Sequence, residues 1–237
     1  YWTLRWGKKT RKMVQMLFAH RWIYTLEQLK AGYHVLITDV DNIWSQYHPI
    51  SEMEKSPYDV YHALETKYPT DVYDLQGFTV CGGMGWFRSD PKVIAFIQHI
   101  VDICGTLCDD QVILNQQMLH NASITWNLTE DIKKHRTHSP DNERLNGLLQ
   151  DSFEGKSEKF GYRIKVWNRD FAYRGENEPK TCPANNWVSM PFVTYVSRWE
   201  GPNAKKQSYD KWDAACPNNF TKMMESRKAK ESARRRR

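Results

Sequence analysis

The stretch "GYHVLITDVDNIW", residues 32–44, decides how the chain is read. Gly32 stands where a helix C-cap is expected after the long amphipathic run of residues 10–31. The apolar segment "YHVLIT" then reads as a short buried strand. That strand ends in two aspartates one residue apart, Asp39 and Asp41. Carboxylates placed there lie at the carboxyl edge of a sheet, where open α/β sheets gather their ligands. Where the side-chain alternation of a strand breaks into a loop, both can turn towards one hard cation. Three readings start from this pair: a metal clamp, a nucleophilic aspartate, or an acidic loop start.

Working outward, the helix of residues 10–31 carries a stripe of Met13, Leu17, His20 and Tyr24, with Met16, Ile23 and Leu26 beside it. Further strands are expected over 58–64 and 73–81. "CGGMGWFRSDP", residues 81–91, reads as a glycine-rich turn and a short strand running into a helix. Ser89 or Asp90 caps that helix and Pro91 takes its first position. Its apolar stripe is Val93, Ile94, Ile97, Ile100, Val101 and Cys104. A second helix is expected from Asp109 to His120, and "SITWNL" as a strand. Residues 129–161 read as a long polar loop. "YRIKVW" and "FVTYVS" follow as short strands, and a last helix runs over 204–214. Helices alternate with strands, so the class is α/β.

Hydrophobic residues make up 40% and aromatics 13% of the 237 residues, which is the composition of a folded chain rather than a disordered one. The net charge of +6 resides largely in the closing "RKAKESARRRR". Residues 217–237 read as a disordered basic tail, and the rest is nearly balanced, which argues against a nucleic-acid partner. No apolar run approaches the ~20 residues that span a bilayer. The chain opens on Tyr1, so a membrane anchor would lie outside it. Of five cysteines, Cys104 and Cys108 suit one helix face better than a bridge, and Cys182 with Cys216 is the expected disulfide. The odd count leaves one thiol over. Sequons at Asn121, Asn127 and Asn219 lean towards the secretory pathway. The eight histidines show no HxH or HExxH spacing, and none is assigned to a metal.

Four segments, in order, resemble the nucleotide-diphospho-sugar transferases of glycosyltransferase family 77. "GYHVLITDVDNIW" is similar to the run that leads into the Asp-x-Asp of that family. "GGMGWFRSDP" looks like its glycine-rich strand, and "DDQVILNQQML" like its Asp-Gln-x-x-x-Asn helix. "MPFVTYVSRWEGPNAKK" resembles the closing strand and Gly-x-x-x-Lys turn, with Gly201 and Lys205 in place. The likeness runs from Arg21 to Trp212. It implies a GT-A fold, a mixed sheet sandwiched by helices, over residues 1–216. The expected first nucleotide-binding strand is missing from this chain. It also implies a metal-dependent glycosyltransferase that moves a sugar from a nucleotide-diphosphate donor to a glycan or glycoprotein acceptor with retention, in the Golgi or secretory lumen, as a type II membrane protein in full length.

Carried over residue by residue, Asp39 and Asp41 hold Mn²⁺ or Mg²⁺ and the donor's diphosphate. Gly82 and Gly83 let the backbone approach the sugar, since glycine lacks a side chain. Asp110 and Gln111 lie beside the anomeric carbon as catalytic candidates. Arg21, Asn115 and Lys205 are candidate donor-binding residues, the two cations facing the departing phosphates. One departure stands out: Tyr195 and Ser197 occupy the positions of the family's His-x-Asn, so a third metal ligand is not identified. His135 and His138 are substitutes by type only.

Read from the residues alone, other accounts remain. Gly82, Gly83 and Gly85 also suit a bulge, Asp109 and Asp110 an ordinary helix start, and Asn115 a packing hydrogen bond. Trp44 and Trp86 suit a core. "LITDVDNIW" also fits the opening of a haloacid-dehalogenase-type phosphatase with Asp39 as nucleophile, although no lysine motif follows. A non-catalytic transferase relic is the third account, suggested by Tyr195.

Overall fold

The computed structural model describes residues 8–39, 42–44, 50–65, 68–128, 152–167, 172–175 and 188–191. Two compact units divide the chain: residues 1–39 with 52–168, and residues 40–51 with 169–237. The expected strand "FVTYVS", the last helix, the basic tail and Cys182–Cys216 lie outside the described residues.

The larger unit opens with α1 (Lys8–Lys30), which leads into β1 (Val35–Thr38). There follow α2 (Ile50–Lys55), β3 (Val60–Glu65), α3 (Thr70–Gln76), β4 (Thr79–Phe87), α4 (Pro91–Cys104) and α5 (Asp110–Gln116). A π-turn (Gln117–Asn121), β5 (Ile124–Asn127), β6 (Phe153–Ser157) and β7 (Arg163–Trp167) complete it. Six strands form one mixed sheet in the order β1-β4-β3-β7-β6-β5. All pairs are antiparallel except β3 with β7. The α/β expectation of a mixed sheet flanked by helices therefore holds. In the smaller unit, β2 (Ile43–Trp44), β9 (Val188–Pro191) and β8 (Ala172–Gly175) form a three-stranded sheet in that order.

β4 is buried along all nine residues. Covering on both faces is why it reads as an unbroken apolar and glycine run rather than an alternating one. Against one face pack Trp22 and Leu29 of α1, Phe96, Ile97 and Ile100 of α4, and Leu114 of α5, all fully buried. Asp90 caps α4, accepting from the Lys92 amide at 2.9 Å, and Pro91 occupies its first position. Phe96 joins the predicted stripe, filling the space beside Tyr162 at 4.9 Å between ring centroids.

Several expectations are corrected. On α1 the buried residues are Ala19, Trp22, Thr25, Leu26 and Leu29, whereas Met13, Met16, Leu17 and Tyr24 are exposed. Apolar side chains surround this helix, and the largest of them, Trp22, fixes the inward face. Of the strand expected over residues 73–81 only 79–81 is strand: α3 runs to Gln76 and stops at Gly77, whose φ of 81° ends it, and β4 starts at Thr79. "CGGMG" is strand rather than turn. β6 lies inside the stretch expected to be loop, hidden because Glu154 and Lys156 face outward. Cys104 and Cys108 form a disulfide, contrary to the helix-face reading. α4 ends at Cys104, and Gly105, at φ 57°, turns the chain so that Cys108 returns to within 5.2 Å between Cα atoms.

His62 in β3 is fully buried, and burial pushes its pKa down from 6.5 to about 4. Between those values the unfolded chain binds a proton that the folded chain does not, so stability falls as pH drops from about 6.5 towards 4. Relative to His62→Asn, the native chain is expected to lose about 2–3 kcal/mol more between pH 7 and pH 4.5, each pKa unit being worth about 1.4 kcal/mol. Urea denaturation of both proteins at the two pH values measures this.

Candidate active site

β1 pairs with β4 from Val35↔Phe87 to Thr38↔Met84. The ladder continues one residue further, where the Asp39 amide donates to the Gly83 carbonyl at 2.8 Å. Asp39 thus leaves the carboxyl end of β1 lying directly against β4. A Cβ on Gly83 would fall 2.0 Å from Asp39 Oδ2. Its neighbour Gly82 faces α5, where a Cβ would lie 3.1 Å from the backbone of Gln111. Both glycines are therefore required by close approach, one to a carboxylate and the other to a helix.

The "DDQ" start of α5 supplies the facing side. Asp109 is its N-cap, accepting from the Val112 amide at 3.0 Å, and its Oδ2 accepts from the Tyr68 hydroxyl at 3.2 Å. Asp110 is buried, and its Oδ1 accepts from the Gln111 amide at 2.8 Å. The Gln111 side chain spans two backbones: Oε1 accepts from the Gly82 amide at 3.3 Å and Nε2 donates to the Tyr68 carbonyl at 2.7 Å. Tyr68 is a positioning residue that the sequence did not disclose, since only Pro69 marks the place.

Asn115 lies one helical turn further in. Its amide accepts from the Val80 amide and donates to the Val80 carbonyl, both at 2.8 Å, as a neighbouring strand would. It also donates to the Gln111 carbonyl at 2.8 Å. Its role here is to fix α5 on β4. Asn115→Leu leaves two buried backbone groups of Val80 without partners and is expected to cost about 2–4 kcal/mol, read from the urea midpoint.

Arg21 of α1 closes the site. Its Nη1 donates to Asp39 Oδ1 at 3.0 Å, while Nη2 pairs with Asp110 Oδ2 and donates to the Gly82 carbonyl at 3.2 Å. Its guanidinium rests over the Phe18 ring at 5.2 Å. One guanidinium thus ties helix α1, strand β4 and both aspartates together. The two carboxylates differ in access: the Asp39 side chain is 47% exposed and that of Asp110 only 7%. A solute can reach Asp39 directly, and it meets Asp110 only as part of the wall.

The structure therefore brings together Arg21, Asp39, Gly82, Gly83, Asp110 and Gln111. Asn115 stands behind them. Asp41, Lys205, Tyr195, Ser197, His135 and His138 lie outside the described residues. Among the described residues no group of three or more His, Cys, Asp or Glu side chains is arranged to hold a metal. Asp39 offers oxygens of the hard type that a divalent cation takes and its side chain is 47% exposed, while its Oδ1 is already paired with Arg21.

A sequence model of the nucleotide-diphospho-sugar transferase family matches residues 5–163, more than half of the chain, and includes α1, β1, β4 and α5, which carry the site. No curated protein and no solved structure matches the chain.

Proposed function

Since the chain belongs to the nucleotide-diphospho-sugar transferase family and is thereby a glycosyltransferase, we propose that it is metal-dependent, of the family 77 type, and moves a hexosyl or pentosyl unit to a glycan or glycoprotein acceptor with retention. The observation that carries this reading is the Arg21 bridge between Asp39 and Asp110 beside Gly82 and Gly83. It sets an accessible carboxylate, a buried carboxylate and the Gly82 carbonyl of β4 within one side chain's reach.

In this reading Asp39, with Asp41 two residues on, would hold Mn²⁺ or Mg²⁺. The cation, when bound, neutralises charge on the leaving diphosphate. Arg21 supplies a fixed positive charge for that task, and Lys205 is the second candidate cation by its place in the sequence. Gly82 and Gly83 let Gln111 and Asp39 close on β4, which sets the carboxylate and the start of α5 side by side where the donor would meet them. Asp110, held by Arg21 and by the Gln111 amide, presents negative charge to the anomeric carbon as the glycosidic bond to phosphate breaks. Gln111 keeps the β4 backbone in register with Asp110. Asn115 contributes by fixing α5. A nearly dry carboxylate acts more strongly than a solvated one, because little water screens it.

The Cys104–Cys108 disulfide and the exposed sequon residue Asn127 support a secretory-pathway lumen, and the Golgi in particular, as the place of action. Among the described residues no helix is long and apolar enough to cross a membrane.

Titration calorimetry with UDP and GDP, with and without Mn²⁺ or Mg²⁺, tests the proposal. One nucleotide is expected to bind only with metal present, and Asp39→Ala to abolish that binding. Binding that ignores the metal, or no binding of either nucleotide, would count against it.

A further inference from the structure

β3 and β4 pair regularly from Val60↔Phe87 to His62↔Gly85 and resume at Leu64↔Val80. Two steps along β3 thus correspond to five along β4, and Cys81, Gly82, Gly83 and Met84 bow out opposite Ala63. This bulge is the stretch that meets Asp39, Arg21 and Gln111. Bulges of this kind re-aim a strand locally, and something must hold the extra residues in place.

His62 stands at the break. Its Nδ1 lies 3.2 Å from the Cys81 carbonyl and 3.1 Å from the Met84 carbonyl, at the two ends of the bowed stretch. Both neighbours are acceptors, so Nδ1 carries the hydrogen and shares it between them. Gly85 makes room for the ring: a Cβ there would fall 2.5 Å from His62 Cε1 and 2.9 Å from Nδ1. The third glycine of "GGMG" is thereby explained by the imidazole rather than by a turn. Phe87 closes over the ring edge, with centroids 5.3 Å apart. Nε2 is buried and has no hydrogen-bond partner among the described residues. A buried polar atom without a partner is costly, and an apolar side chain of this size would avoid that cost. The imidazole is explained by what Nδ1 holds.

We propose that His62 is the positioning residue of the donor site, pinning both ends of the Cys81–Met84 bulge so that Gly82 and Gly83 stay where Asp39, Arg21 and Gln111 meet them. The pinning stands on the geometry alone; its consequence for the donor rests on the transferase reading above.

Hydrogen exchange of the whole chain, followed by mass spectrometry, tests the pinning without any ligand. His62→Phe keeps a ring and removes the donor. His62→Asn places an amide nitrogen at the same branch point from Cβ. The Phe variant is expected to exchange the amides of Asp39 and of residues 81–84 at least about tenfold faster, with α4 unchanged, and the Asn variant to regain protection. His62→Ala gives the same comparison should the larger ring not be accommodated. Native protection of the bulge in variants lacking the donor, or loss spread equally over α4, would overturn the assignment. On the same samples, Mn²⁺-dependent binding of UDP or GDP is expected to weaken about tenfold in the Phe variant and recover in the Asn variant. Unchanged nucleotide binding beside a loosened bulge would overturn the positioning role. A native chain that binds neither nucleotide would instead tell against the transferase mechanism, and the exchange comparison would still decide the pinning.

Discussion

Asp110→Asn is expected to lower sugar transfer by about 10²–10³-fold while leaving metal-dependent nucleotide binding within a few-fold of the native value. The substitution keeps the shape of the side chain, and an amide oxygen can still accept from the Gln111 amide as Oδ1 does now at 2.8 Å. What disappears is the negative charge, and Asp110 is the carboxylate held away from solvent. In the proposed reading that charge, shared with Arg21, faces the developing cation with little water between them. The diphosphate, in contrast, is served in that reading by Asp39 and Asp41 with the metal, and the substitution touches neither residue. Arg21 retains Asp39 as a partner, so α1 stays attached to the site. Steady-state transfer measured beside calorimetry separates the two effects. Equal loss of binding and transfer would show that Asp110 serves the donor's attachment rather than the reacting carbon.

Gly83→Ala is expected to weaken metal-dependent donor binding by about 100-fold or more while the fold survives. The new methyl would overlap Asp39, with its Cβ 2.0 Å from Oδ2 and 2.5 Å from Cγ. Asp39 is short, half-exposed and at the end of a strand, so its carboxylate can swing to another rotamer for about 1 kcal/mol. Stability is thus nearly spared, but the carboxylate leaves Arg21 and its place beside β4. Gly82→Ala is the contrasting change. Its Cβ would meet the α5 backbone at 3.1 Å, which has to shift as a helix rather than rotate as a side chain. Its main expected effect is on the unfolding midpoint. Gly83→Ala that binds the donor normally would remove Asp39 from the proposed role.

These two substitutions show what the chain's order of residues made legible. β1 and α4 were readable because each carries its own punctuation, Gly32 before the strand and Asp90-Pro91 before the helix. α3 was not, since "DVYDLQGF" mixes apolar and polar residues too briefly to separate a period of two from one of 3.6. The glycines of β4 suggested a turn, because a sequence cannot say that an absent side chain serves a carboxylate, a helix and an imidazole in succession. The Cys104–Cys108 bridge was hidden for a similar reason: spacing by four suggests a helix face unless Gly105 is known to reverse the chain. At the site, the aspartates and Gln111 stood out by motif. The joining of Asp39 and Asp110 by Arg21, and the two backbone bonds that occupy Asn115, arise only when α1 and α5 meet β4.

The parallel pairing of β3 with β7 bears on how the molecule comes into being. Every residue of the described site, from Arg21 to Gln111, is synthesised before β7 exists. Until Arg163–Trp167 leaves the ribosome, the outer edge of β3 has no neighbour, and β5 and β6 have no route into the main sheet. Residues Val60, Tyr61, His62, Ala63 and Leu64 of β3 are all buried in the finished protein. A nascent chain of this kind carries a complete set of site residues on a bare strand edge, the condition under which strands of separate chains join. Vectorial synthesis thus makes the segment through β7 a safeguard against aggregation for the half of the protein that carries the candidate site.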